Sequence, residues 1–157
     1  MLSPVPRRAS LALCQAFLAG VESFGAVAHG VSLAGEPGDP GRPAREVDIV
    51  MSDGAGGMRF APDRVEVRRG EQVRFVISNS GSLTHEFFLG TPGENREHSA
   101  MMARMPDMRH DDPNARTVVP GRSSSILWRF SDTGEYEFAC LIPGHYQAGM
   151  HGVVIVK

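Results

Sequence analysis

The chain has 157 residues and a formal net charge of −2. That length predicts one domain with room for a real core, and the mixed charge gives no electrostatic case for nucleic acid. Arginine carries nearly all of the positive charge, Lys157 being the lone lysine, and basic residues are scattered among acidic ones as on a solvated surface.

Residues 1–28 read as an export signal peptide. Arg7-Arg8 is a short basic region, Ala9 to Val21 is mostly apolar but short for a bilayer span, and Ala26-Val27-Ala28 is a small-x-small cleavage site. This predicts a mature chain from His29, a periplasmic location and no membrane span in the mature chain. The paired arginines fit either the general or the twin-arginine route. Leu13 stands where a lipoprotein site before Cys14 needs a small residue. Cleavage leaves Cys140 as the lone cysteine, unable to form an internal disulfide: it is an inert buried thiol or a metal ligand.

Residues 29–45 are rich in Gly and Pro and predict an irregular arm before a domain spanning 46–157. With His29 at the mature terminus, its α-amine and imidazole could hold Cu(II); the plainer reading is a disordered end. From Glu46 the hydrophobic period is two: Val47, Ile49 and Met51, then Val65 and Val67, then Val73, Phe75 and Ile77. Met58 to Phe60 is a short extended piece, and Leu83 to Leu89 is a strand carrying His85. Thr91-Pro92-Gly93-Glu94 changes the pattern to a helix start, with Thr91 as N-cap, Pro92 at the first position and Glu94 closing a capping box. Pro106 ends that helix, and residues 107–117 read as a polar loop. Strands resume at Ser123 to Phe130, Tyr136 to Cys140 and Gly152 to Lys157. Seven or eight short strands with one inserted helix predict an all-β Greek-key sandwich, read as antiparallel.

The chemistry concentrates in Cys140–Met150. Four residues separate Cys140 from His145, and four more separate His145 from Met150. A thiolate, an imidazole and a thioether suit copper, and His₂Cys with a long axial Met is the blue-copper arrangement. It needs a second histidine, and His85 at a strand end is the best candidate. Gly144 and Gly149 allow a tight loop and Pro143 stiffens it. Each residue alone has a plainer reading: a core histidine beside Phe87 and Phe88, a core methionine, a buried thiol. Zinc fits less well, because Met is a poor zinc ligand.

At these residues the sequence resembles the cupredoxins, through Cys-x4-His-x4-Met with Pro-Gly-His inside it and Gly-Met-His-Gly at its end. It is more closely similar to the small periplasmic cupredoxins of bacterial copper tolerance, the CopI type. That likeness includes Gly35-Glu36-Pro37-Gly38, His85-Glu86-Phe87, and Glu97-His98 followed by a Met-rich stretch to His110-Asp111-Asp112-Pro113-Asn114. The resemblance implies His85, Cys140, His145 and Met150 as type 1 copper ligands. His151, beside Met150, could compete for the metal or gate its exposed edge.

The Met-rich stretch is a second cluster. His98, Met101, Met102 and Met105 recur at helical spacing, with Met108 and His110 beyond. Either these methionines pack the helix onto the sandwich, or they make a second, Cu(I) site, for which His98, Met101, Met105 and His110 are the candidates; thioethers persist where free thiols oxidise. The functional expectation is a non-enzymatic, periplasmic copper protein of copper tolerance and one-electron chemistry. Its partners are copper ions and a redox partner protein. An electron shuttle between respiratory proteins, docking through Pro143, Tyr146 and Ala148, is the alternative. A cuprous oxidase ranks lower, since the His-x-His pairs of a multicopper cluster are missing from the sequence.

Overall fold

The computed structural model describes residues 34–105 and 112–157. The export signal, His29, Met108 and His110 lie outside the described residues. The described elements are β1 (Glu36–Pro37), β2 (Arg45–Ser52), β3 (Arg59–Ala61), β4 (Arg64–Val67), β5 (Gln72–Asn79), β6 (His85–Gly90), α1 (Pro92–Arg104), β7 (Ala115–Val118), β8 (Ser123–Arg129), β9 (Gly134–Ala139) and β10 (His151–Val156).

They form two five-stranded sheets, in the orders β1-β8-β5-β2-β3 and β4-β10-β9-β6-β7. The inward residues of both sheets make one core. Phe87 of β6 stacks on Phe138 of β9 with ring centroids 5.2 Å apart, and Phe60 of β3 meets Phe138 edge-on, also at 5.2 Å. Phe75, Phe130, Ile49, Ile77 and Trp128 complete the centre. The alternating apolar positions of β5 are buried throughout, as a period of two requires of a sheet with one covered face.

Three features depart from the sequence reading. The sandwich is mixed rather than antiparallel, because β2 pairs with β5, and β4 with β10, in parallel. Hydrophobic alternation reports which face is buried and carries no information on strand direction. Part of the arm is ordered: Glu36 and Pro37 pair with Arg129 and Trp128 of β8. The loop expected over 107–117 gives way at Ala115 to β7, which pairs with β6 from His85↔Val118 to Phe88↔Ala115. Ala115 and Val118 are buried, but Arg116 and Thr117 between them break the period. Two residues, or four with a polar middle, are too short for a pattern to show; the edge of a neighbouring strand recruits their backbones.

The helix begins as expected. The Thr91 hydroxyl accepts the Glu94 N–H (3.2 Å), and the Glu94 carboxylate accepts the Thr91 N–H (2.7 Å), closing the capping box. Thr91→Ala should cost about 1 kcal/mol, read as a lower urea midpoint at unchanged slope. The buried face of α1 differs from the expected one. Asn95, His98 and Met102 are buried, Met101 is half-buried, and Met105 is 45% exposed. The spacing i, i+3, i+7 lays this face over β6 and β9, where Met102 joins Phe88, Ala115, Ala139 and Leu141 in a smaller apolar cluster. Strand β6 is therefore buried on both sides. Among the described residues no helix is long and apolar enough to cross a membrane.

Candidate metal centre

His85 opens β6, Cys140 follows the last residue of β9, and His151 opens β10 immediately after Met150. Because β6 and β10 both run antiparallel to β9, these three points fall at one end of the sandwich. There the donor atoms of His85, Cys140 and His145 lie within 4.8 Å of one another. His85 Nδ1 is 3.2 Å from His145 Nδ1, and Cys140 Sγ is also 3.2 Å from His145 Nδ1. Such spacing suits donors that share one ion through metal–nitrogen bonds of about 2 Å. Two imidazole nitrogens and a sulfur, with a fully buried methionine alongside, match copper in donor type.

The loop between Cys140 and Met150 is held by its own backbone. The Cys140 N–H donates to the Met150 carbonyl (3.0 Å), the Met150 N–H to the His145 carbonyl (3.1 Å), and the His145 N–H to the Ile142 carbonyl (3.0 Å). Gly144 and Gly149 take φ of 89° and 99°, the left-handed region that a side chain resists. Burial pushes the Cys140 thiol up to about 12, against the weaker opposing pull of the Glu86 and Ile142 N–H groups. A metal therefore has to displace the thiol proton to gain a thiolate. Burial, and after it the neighbouring His85, hold the His145 imidazolium below its ordinary range, so this ring is poised as a neutral donor.

Two carboxylates that the sequence reading passed over brace the ligands. Asp53 Oδ2 lies 3.0 Å from His85 Nε2, the ring nitrogen turned away from the metal donors. The same carboxylate accepts the backbone N–H groups of Ser82 and Leu83, which hold it down to about 2. The Glu86 N–H donates to Cys140 Sγ (3.3 Å), and its side chain accepts the Leu141 N–H (3.3 Å) and meets His98 Nε2 (3.0 Å). Asp53 falls in a turn-rich loop, where an aspartate is unremarkable in sequence. Glu86, next to a ligand on a strand buried on both faces, carried a signal: a glutamate in so apolar a run needs a partner.

The other candidate residues are distributed as follows. His98 faces inward, its ring stacked on Phe88 with centroids 4.1 Å apart, while Met105 is exposed; His110 is outside the described residues. His151 projects to the opposite side of the strand from Met150. It stacks on Tyr146 at 4.7 Å, its Nδ1 lies 3.9 Å from Glu137 Oε1, and it is not in the donor group. Tyr146 donates its hydroxyl to Glu137 (2.7 Å), a bond that raises its pKa. Of the proposed docking surface, Pro143 and Ala148 are exposed and Tyr146 is half-buried.

Comparison with known proteins agrees with this site. Residues 46–157 match the family described as copper binding proteins, plastocyanin/azurin family. The copper-resistant cuproprotein CopI of Rubrivivax gelatinosus is 50% identical over 139 residues, covering 88% of this chain and 82% of that protein. The CopI of Pseudomonas aeruginosa is 36% identical, covering 89% of this chain and 91% of its own. Among solved structures, reduced auracyanin from Roseiflexus castenholzii superposes with a TM-score of 0.60 at 20% identity, over 74% of this chain and 99% of that one. The chain thus belongs to the plastocyanin/azurin family of copper-binding proteins, with CopI cuproproteins among its relatives, and its His85, Cys140 and His145 bring together three donor atoms that could hold a metal ion.

Proposed function

We propose that the chain is an exported, periplasmic cupredoxin that holds a type 1 copper through His85, Cys140, His145 and Met150 and acts in copper tolerance. It hands on copper or single electrons and catalyses no reaction of its own. The observation that carries this reading is the convergence within 4.8 Å of three donor atoms on buried or half-buried side chains, those of Cys140 and His145 from one loop and that of His85 from a strand 60 residues before His145. The names of the CopI relatives, which describe them as copper-resistant cuproproteins, support the tolerance role. The half-buried His145, between exposed Pro143 and Ala148, supports one-electron exchange with a protein partner docked at that edge.

With His98 on the buried face of α1 and Met105 exposed, the reading is one copper per chain. A second copper at His98, Met101, Met105 and His110 would have to use Nδ1 of His98, because Nε2 is held by Glu86. The test joins a copper count on the purified chain to growth of a bacterial host that lacks its own periplasmic copper-tolerance cupredoxin. The chain should restore growth in copper and bind one equivalent, and His145→Ala should do neither. A count of two overturns the single-site reading. Equal protection by His145→Ala would show that tolerance does not run through this centre.

A further inference from the structure

We propose that Asp53 is a positioning residue for the copper: its carboxylate fixes the ring of His85 with Nδ1 toward the metal and biases the centre toward Cu(II). This rests on the ligand set proposed above. His85 Nδ1 can bind a metal only if the ring proton sits on Nε2, and Nε2 lies 3.0 Å from Asp53 Oδ2. The hydrogen bond therefore selects the tautomer and the ring angle together.

The carboxylate is seated rather than incidental. Oδ1 and Oδ2 accept the Ser82 N–H at 2.8 and 2.9 Å, Oδ2 accepts the Leu83 N–H at 2.7 Å, and Oδ1 accepts the Ser82 hydroxyl at 3.1 Å. The Asp53 side chain is 5% exposed, and that of His85 is fully buried. Gly81 leaves room for it: a Cβ there would stand 2.5 Å from Asp53 Oδ2, so a larger residue at 81 would unseat the carboxylate. The segment that leads into β6 is thereby wrapped around one oxygen pair.

The chemical consequence follows from charge. A carboxylate on the far nitrogen makes the imidazole a stronger donor, and its negative charge lies one ring away from the metal. Both effects favour the doubly charged ion over the singly charged one. The relation between copper affinity and redox state is then set from β2's end of the sandwich as well as from the ligand loop.

Asp53→Asn tests it. The amide has nearly the same shape and keeps one oxygen for the Ser82 and Leu83 N–H groups. The copper-loaded variant should retain an intense visible band, bind Cu(II) at least about 10-fold more weakly, and bind Cu(I) much as before. A 10-fold loss confined to Cu(II) raises the one-electron potential by about 59 mV, read by voltammetry. An unmoved potential, with only the melting temperature of the metal-free chain lowered, would reduce Asp53 to a staple for residues 81–83 and overturn the proposal. Should the variant not fold, nitrogen-15 NMR of the unaltered Cu(I)-loaded chain decides. A slowly exchanging proton on His85 Nε2 supports the proposal, and a proton-free or freely exchanging Nε2 refutes it. The unaltered chain separates the two levels of inference: if it shows no intense band with Cu(II), the ligand set itself fails.

Discussion

Cys140→Ser leaves the copper-loaded chain without its intense visible band. That band requires a thiolate bound to Cu(II), and Cys140 is the sole cysteine among the described residues. The serine hydroxyl fills nearly the same space and can still accept the Glu86 N–H that now reaches Sγ at 3.3 Å, so the metal-free variant should fold. The loss should also appear as stability. A ligand at a thousand times its dissociation constant stabilises a folded protein by about 4 kcal/mol, and the unaltered chain should gain on that order when copper is added. The variant, with a hard oxygen in place of a soft sulfur, should gain little. A melt series with and without copper, beside the visible spectrum, measures both. An undiminished band in Cys140→Ser would remove the thiolate from the site.

Glu86→Ala should cost about 3 kcal/mol or more, because two links meet in one buried side chain. The side chain accepts the N–H of Leu141, next to the thiol, and meets the ring of His98 on α1, while the backbone N–H that points at Cys140 Sγ is kept by alanine. Removing it frees α1 and the start of the ligand loop together. Denaturant midpoints should fall, and the copper-loaded variant should show a shifted visible band, since Leu141 adjoins the thiolate. Glu86→Gln, which keeps the shape, should lose less than half as much stability. Equal losses for Ala and Gln would mean that charge, rather than the hydrogen-bonded bridge, does the holding.

How far the fold could be read beforehand depended on the length of each signal. The eight-residue β5 shows its period four times over, and the helix start announced itself through Thr91, Pro92 and Glu94, whose reciprocal bonds are all local. β1 and β7 were missed because pairing partners far along the chain impose them. The parallel pairings were missed because alternation is blind to direction. At the site, the loop from Cys140 to Met150 was legible because three donor types crowd into a few residues. Asp53 and Glu86 act at separations of 32 and 54 residues from the ligands they brace, and no spacing rule spans that distance. His98 lies on α1 as expected, yet its ring turns toward the sandwich. The helical face was drawn too far toward Met101 and Met105, since a buried glutamate on the neighbouring strand decides which side of α1 points inward.

The two-residue strand β1 has a consequence for behaviour in concentrated solution. Strand β8 would otherwise end its sheet with a row of free N–H and C=O groups, the template on which another chain can add a strand and seed aggregates. Glu36 and Pro37 occupy that row opposite Arg129 and Trp128, and the Trp128 indole N–H clasps the Ala34 carbonyl at 3.0 Å. Proline is suited to the outer position, because it offers no N–H to a newcomer. The short segment therefore works as a selvage, the finished border that keeps a woven sheet from being extended at that end of β8.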